Sequence, residues 1–296
     1  MKRKIDGLVR LVRHREFIWF VMITTFLGAL AANGVWGWRL AGVLVANWLA
    51  VAFAFMINDV EDAEDDALNP NKVKRNPISA RDLPVQTAQW ASGIVAFLAV
   101  LTYSLLGWKP FVIGLTCLAI GFLYSWQRVR LKNIAIVDLA SHGMMLAGLQ
   151  FLAAYFTFQP GALVRWLFPL AFLVAVSMYG ELFNELRDLD GDLAVGLKHT
   201  ASLLGRRTAY WLMISVFILG VGSALVTILW VRLIPGWVLL LIGIGAFVFM
   251  TPQFFKIRRG HSSLQVQQML QKPVEVAAAL ALMAQFLVAA VDFHPF

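Results

Sequence analysis

The sequence predicts an all-α polytopic membrane protein with nine transmembrane helices, and three observations carry this. First, 60% of the 296 residues are hydrophobic and 14% are charged, with a mean hydropathy of +0.73. A soluble domain sits nearer roughly 45–50% apolar and about 25% charged. Second, the apolar residues gather into nine stretches, each near the roughly 20 residues that cross a bilayer as helix. Third, the 25 lysines and arginines alternate between crowded and sparse loops, as membrane topology demands.

In chain order the stretches cover 17–36, 40–58, 86–107, 110–127, 134–157, 162–183, 208–231, 235–254 and 274–292. The first follows a basic leader, Met1-Lys-Arg-Lys, with no small-residue cleavage site, so it reads as a span and not as a signal peptide. Gly37–Arg39 divides it from the second, which ends in acid and opens a loop of about 27 residues. Trp108–Pro110 separates the third from the fourth, and the fourth runs out into a basic loop. The sixth also ends in acid, before a loop of about 24 residues. The last three are joined by short turns and by a polar stretch, 256–272, that carries no motif. The one cysteine, Cys117, lies inside the fourth stretch, so no intramolecular disulfide forms.

Basic residues orient the chain. The N-terminus and alternate loops hold 21 of them, from Lys2 through Lys272, while the opposite face holds only Arg39, Lys109, Arg165 and Arg232. The positive-inside rule puts the crowded face, with the N-terminus, in the cytoplasm of a cell or inner membrane. The same distribution removes nucleic acid as the meaning of the net charge of +8. No obligate protein partner is evident.

On that face an acidic pattern occurs twice. Asn-x3-Asp-x3-Asp appears as Asn58/Asp62/Asp66 and as Asn184/Asp188/Asp192, and a lysine follows each copy after six residues, Lys72 and Lys198. Both the motifs and the lysines are offset by 126 residues, which suggests an internal repeat relating 58–72 and 184–198 within one domain over 1–296. Segments 58–66 and 184–192 hold ten of the 17 acidic residues. Acid this dense at a membrane edge repels itself unless cations neutralise it. Residues four apart share a helix face, so each row presents amide and carboxylate oxygens together. Such donors suit Mg2+ with substrate phosphate oxygens, and two rows would hold ions around a diphosphate and make it a better leaving group. The plainer alternative is a pair of solvated acidic loop ends.

Basic side chains complement the acids. Lys72, Arg75 and Lys198 stand beside them, and the run Tyr124-Ser-Trp-Gln-Arg128-Val-Arg130-Leu-Lys132 brings a hydroxyl and three cations to the same face. Arginine suits bidentate phosphate contact; for Arg130, simple membrane anchoring competes with that role. Arg13 and Arg15 precede the first span, where one would reach the diphosphate or both would anchor at headgroups.

These residues resemble the UbiA-type intramembrane prenyltransferases. Asn58-Asp59-Val-Glu-Asp62-Ala-Glu-Asp-Asp66 matches that family's Asn-Asp-x-x-Asp-x-x-x-Asp, and Asp188-Leu-Asp-Gly-Asp192 matches its Asp-x-x-x-Asp. Asn69-Pro70-Asn-Lys72-Val-Lys-Arg75-Asn-Pro77 follows the family's Asn-Pro-x-Lys-x-x-Arg-Pro but inserts Asn76. Tyr124-x3-Arg128 stands for Tyr-x-x-x-Lys, and Gly196-Leu-Lys198-His-Thr200 is also family-like. The resemblance implies a ring of nine helices around a central cavity, with helical cytoplasmic cap loops. It implies Mg2+ held by Asn58, Asp62, Asp66, Asp188 and Asp192, with Asp62 and Asp188 central to catalysis; the repeated row adds Asn184. It implies a diphosphate bound by Lys72, Arg75, Arg128 and Lys198, with Tyr124 orienting the diphosphate or shielding an allylic cation; the basic run adds Lys132 and the N-terminus adds Arg13. The implied reaction moves a prenyl group from a prenyl diphosphate to a lipophilic acceptor. An aromatic quinone precursor leads, with a carotenoid, a glycerol ether lipid, a tetrapyrrole or a sugar phosphate as alternatives.

Asp138 and His142 lie four apart within the fifth span, and ionisable residues inside a span are functional candidates. Asp138 would stabilise the cation or take the acceptor's proton; alternatively the two form a satisfied interior pair. Glu181 precedes Asn184 by three residues and would support the metal shell. Two rival functions fit less well. A CDP-alcohol phosphotransferase needs Asp-Gly-x-x-Ala-Arg, and Asp190-Gly191 is followed by Asp-Leu-Ala-Val. A transporter would bury its acids at mid-membrane on broken helices.

Overall fold

The computed structural model describes residues 2–68, 72–158, 162–194, 196–257 and 263–292. Their regular structure is all helical, with no strand among the described residues. In order they form α1 (Lys2–Val12), α2 (His14–Ala31), α3 (Trp38–Glu61), α4 (Ala63–Ala67), α5 (Val85–Leu106), α6 (Trp108–Ser125), α7 (Val137–Gly143), α8 (Leu149–Thr157), α9 (Leu163–Ala194), α10 (Thr200–Leu225), α11 (Gly236–Phe254) and α12 (Ser263–Asp292). A π-helical turn, Met144–Gly148, joins α7 to α8 as one span, and a second, Val226–Trp230, ends α10.

Eight helices among the described residues are long and apolar enough to cross a membrane, so the protein is an integral, multi-pass membrane protein. The expected first span, 17–36, falls on α2, which is not one of the eight. Its 18 residues open with His14-Arg15-Glu16, polar side chains that shorten its apolar run. It is nonetheless central, packing against α3, α8 and α12. Gly28 makes the α8 contact close, since a Cβ there would stand 2.3 Å from the Phe151 carbonyl oxygen.

The core is apolar helix against helix, built on Phe26, Leu40, Met56, Phe151, Tyr155 and Phe286. A buried polar thread crosses it. Tyr103 donates to Asn47 at 2.7 Å, and Asn47 donates to Thr25 and to the Gln150 carbonyl at 2.8 and 3.0 Å. Gln150 in turn donates to the Met145 and Leu146 carbonyls at 3.1 and 2.8 Å. Those are carbonyls of the π turn, where widened spacing frees acceptors that must be satisfied internally. By contrast, α11 presents Leu240, Ile244, Phe247 and Val248 outward, as a lipid-facing helix does.

The helices also differ from expectation on the acidic side. The predicted loop of about 24 residues after the sixth span is mostly helix. α9 runs 32 residues, about 48 Å at 1.5 Å per residue, well beyond a ~30 Å apolar layer. The second acidic motif therefore lies on a continuing helix and not at a helix-to-loop junction. The link to α10 is short, and Gly205 (φ +75°) turns the chain inside α10 so that Thr200–Leu204 folds back toward α9. Glycine takes this conformation without the Cβ penalty other residues meet.

Candidate active site

The first acidic motif straddles a break. α3 ends at Glu61, Asp62 sits between helices, and Asp66 lies on α4. The break is held by Asn76, which is buried. Its amide donates to the Asp59 carbonyl at 2.8 Å and to Asp66 Oδ2 at 3.0 Å, and its oxygen accepts from the Ile78 amide at 3.0 Å. The residue that departs from the family pattern is thus the one that ties the following loop to the motif.

Cations from the loop after α6 close on this motif. Lys132 Nζ donates to Asn58 Oδ1 at 3.1 Å and, more closely, to Asp62 Oδ2. Arg130 Nη2 donates to Asp62 Oδ1 at 3.0 Å and to Asp65 at 2.7 Å. Arg130 adopts a left-handed backbone (φ +47°), which aims the guanidinium back at α3 and α4. Burial pushes the Lys132 ammonium below its ordinary pKa, and Asp62 opposes that shift. Arg13, also left-handed (φ +53°), donates to Asp59 at 3.0 Å and to Glu16 at 3.1 Å, with its guanidinium over the Phe55 ring.

The second motif is neutralised locally. Arg187 donates to Asn184 Oδ1 at 2.9 Å and bidentately to the Asp188 carboxylate. His199 stands between Asp192 (3.1 Å) and Glu185 (3.2 Å). Burial works against a charged imidazole, but the two carboxylates outweigh it and push its pKa up to about 10. In both copies, then, the Asn and the first Asp converge on one cationic side chain: Lys132 in one, Arg187 in the other.

The end of α6 joins the two motifs. Ser125 donates to Asn58 at 3.2 Å, and its neighbour Tyr124 donates to Glu181 at 2.8 Å, one turn before Asn184. Among the described residues no three histidines or carboxylates gather closely enough to hold a metal alone. The donors are oxygens that converge in pairs.

The other expected residues are placed as follows. Lys72 and Lys198 are exposed beside the motifs. Arg75 is exposed and donates to Glu16 at 2.6 Å. Arg128 is exposed and lies over the Trp126 ring. Arg130, weighed as an anchor, occupies the position expected of Arg128. Residues 69–71 and Arg258–Arg259 lie outside the described residues. Asp138 is 1% exposed, and its carboxylate accepts from the Thr200 amide (2.6 Å), the Thr200 hydroxyl (2.5 Å) and the Leu139 amide (2.7 Å). Those bonds latch α10 to α7 and set Asp138 apart from His142. Ile136, at φ +73°, belongs to the same latch and donates its amide to the Thr200 hydroxyl at 2.6 Å.

Arg187 counts in the sequence only as a topology charge, and His199 does not stand out there as a site residue. Arg187 sits one turn from Asn184 and beside Asp188, a spacing that signals a local pair. His199 carries no comparable signal, because its partners are set by the Gly205 turn.

The family model of the UbiA prenyltransferase family matches residues 21–271. The chain is 28% identical over 172 residues to the digeranylgeranylglyceryl phosphate synthase of Pyrococcus abyssi, covering 58% of each protein. It is 30% identical over 204 residues to the lycopene elongase/hydratase of Haloarcula japonica, covering 65% of each. It thus spans less than two thirds of the length of these relatives. It is 29% identical over 235 residues to the 4-hydroxybenzoate octaprenyltransferase of Acidovorax ebreus, covering 77% of this chain and 73% of that one. The solved structure of a UbiA homolog from Archaeoglobus fulgidus bound to GPP and Mg2+ superposes with a TM-score of 0.72 at 17% identity, over 96% of this chain and 99% of that one, a likeness of fold. The chain belongs to the UbiA prenyltransferase family.

Proposed function

We propose that the protein transfers a prenyl group from a prenyl diphosphate to a lipophilic acceptor, through an allylic carbocation and with Mg2+. One observation carries this reading. Each Asn-x3-Asp pair converges on a single cation, and the two pairs flank Tyr124–Ser125. Oxygen pairs that already close on an ammonium or a guanidinium fit a hard divalent ion with room for substrate oxygens. Asn58, Asp62 and Asp66 would hold it on one side, and Asn184, Asp188 and Asp192 on the other. When bound, Mg2+ neutralises the diphosphate and makes it a better leaving group.

The chain's own residues do the rest. Lys132, Arg130 and Arg187 leave the carboxylates for phosphate oxygens, a transfer that keeps every charge paired. Lys72, Arg75, Arg128, Lys198 and Arg13 add positive potential around the leaving group. Tyr124 turns its ring toward the reacting carbon, where a π-face stabilises positive charge. The span interior keeps water from quenching the cation. We read α2 as a ninth span, the helices as a ring around the reacting chain, and both motifs as cytoplasmic. The repeat of 58–72 in 184–198 then reads as two halves of one clamp.

Relatives are named for glycerol ether, carotenoid and aromatic acceptors. The aromatic class expected from sequence is one arm of the test. Purified protein in lipid vesicles is incubated with Mg2+, with dimethylallyl or geranyl diphosphate, and with 4-hydroxybenzoate, lycopene or geranylgeranylglyceryl phosphate. Mass spectrometry should detect a prenylated product with release of diphosphate. Ion flux across the vesicles without diphosphate release would overturn the reading.

A further inference from the structure

Two side chains beside Tyr124 and Glu181, His142 and Ser177, are not used by the clamp. His142, on α7, points between α6 and α9. Its Nε2 lies 3.3 Å from Glu181 Oε2, and its Nδ1 lies 3.2 Å from the Ser177 hydroxyl. The other Glu181 oxygen accepts from Tyr124 at 2.8 Å, and the Tyr124 and His142 rings are 6.2 Å apart. Ser177, His142, Glu181 and Tyr124 form one continuous line across three helices. His142 and Glu181 remain 16% and 18% exposed and Ser177 keeps 6%, whereas Asp138 is sealed at 1%.

Chain direction places this line. Glu181 and Ser177 precede Asn184 by about one and two turns of α9, and His142 lies beyond the start of α7, so all three are on the membrane side of the acidic rows. If those rows grip a diphosphate, the allylic carbon and the acceptor lie at this depth.

We propose that His142 takes the acceptor's proton through the Ser177 hydroxyl, with Glu181 as its positioning residue. The inference rests on the prenyl-transfer reading above. A proton acceptor is required whichever acceptor is used: an aromatic carbon, an alkene or a hydroxyl must each lose a proton after attacking the cation. The allylic C–O bond breaks and its electron pair leaves with diphosphate. The acceptor's electron pair forms the new bond to the prenyl carbon. The acceptor's proton passes to the Ser177 oxygen as the Ser177 proton passes to His142 Nδ1. Nε2–H, directed at the Glu181 carboxylate, leaves the Nδ1 lone pair free, and that carboxylate balances the imidazolium that forms. This is the arrangement by which a carboxylate sets an imidazole's tautomer and supports its charge.

Three readouts test it together in full-length protein in lipid vesicles with Mg2+ and geranyl diphosphate, using whichever of the three acceptors above gives wild type the most product. They are diphosphate release, prenylated product and geraniol formed by water capture. In His142→Gln we expect diphosphate release within about 3-fold of wild type while product falls by about 10²-fold, the scale of a lost general base, so the geraniol-to-product ratio rises. Glu181→Gln and Ser177→Ala should move the ratio the same way by less, and they keep the test open if His142→Gln does not fold. Product and diphosphate release falling together, with the ratio unchanged, would reduce the cluster to a structural role and overturn the proposal. Product at the wild-type rate would overturn it as well. Wild type that releases no diphosphate strikes the prenyl-transfer reading itself, a result distinct from an unchanged ratio in the variants.

Discussion

The two copies of Asn-x3-Asp-x3-Asp have the same spacing and different surroundings. The first crosses a helix break and is neutralised from far along the chain, by Arg130 and Lys132, with Asn76 pinning Asp66. The second rides an unbroken helix and is neutralised by Arg187 of the same helix and His199 just beyond it. The Asp62 side chain is 13% exposed and that of Asp188 is 39%. Equal sequence patterns therefore meet different dielectrics. The Asp62 carboxylate is part of the packing, and that of Asp188 lies nearer the surface. Removing one partner from a buried pair costs far more than removing one from an exposed pair.

The largest expected effect is shared by both copies, and stability separates them. Asp62→Ala and Asp188→Ala should each reduce product formation by at least about 10²-fold, through lost charge stabilisation at the leaving group. Asp62→Ala should also cost about 3 kcal/mol of stability, because the largely buried Lys132 loses its carboxylate and keeps only Asn58, while Arg130 keeps only the exposed Asp65. Asp188→Ala should cost less than about 1 kcal/mol. Equal losses of thermal stability in the two variants would break the comparison. Removal of Mg2+ with EDTA comes next. Product formation should stop while helical content and melting temperature stay near their starting values, since basic side chains already neutralise both motifs. Unfolding on chelation would show instead that the metal holds the clamp together.

Asn76→Ala acts on the first copy alone. It orphans the Asp59 carbonyl and frees Asp66, a loss of about 1–3 kcal/mol, and it should raise the Mg2+ concentration that gives half-maximal rate. An unchanged Mg2+ requirement with lowered stability would confine Asn76 to folding. The smallest effect separates the basic residues. Lys132→Ala should raise the KM for geranyl diphosphate more than Arg128→Ala, because Lys132 already sits on the motif while Arg128 lies outside over Trp126. The opposite order would return the phosphate role to Arg128.

Much of the fold was legible because a bilayer imposes one-dimensional rules. Apolar length marks the spans, basic residues mark the loops, and helical spacing puts Asn184 and Asp188 on one face. The stretch expected over 17–36 is the exception, since its helix, α2, opens with a polar turn and is not one of the eight. At the site, residue identity and spacing pointed to the two motifs and to Tyr124. They did not reach the partner of Asp138, since nothing local to it announces Thr200 across 62 residues. They also set Arg130 below Arg128, because the left-handed turn that swings Arg130 inward depends on what packs around it.

Sequence by itself determined the membrane class, the apolar stretches, the duplicated acid-rich motif and the family. Each of these follows from composition, hydrophobic length or short-range spacing, and needs no knowledge of which helices touch. Tertiary structure alone decided which cation meets which carboxylate, why Asn76 stands in the loop, that Asp138 is a latch, and that His142 and Glu181 face each other behind Tyr124. Those pairings join residues tens of positions apart. Their strength comes from burial and from orientation to a fraction of a turn, quantities that exist only once the helices have packed.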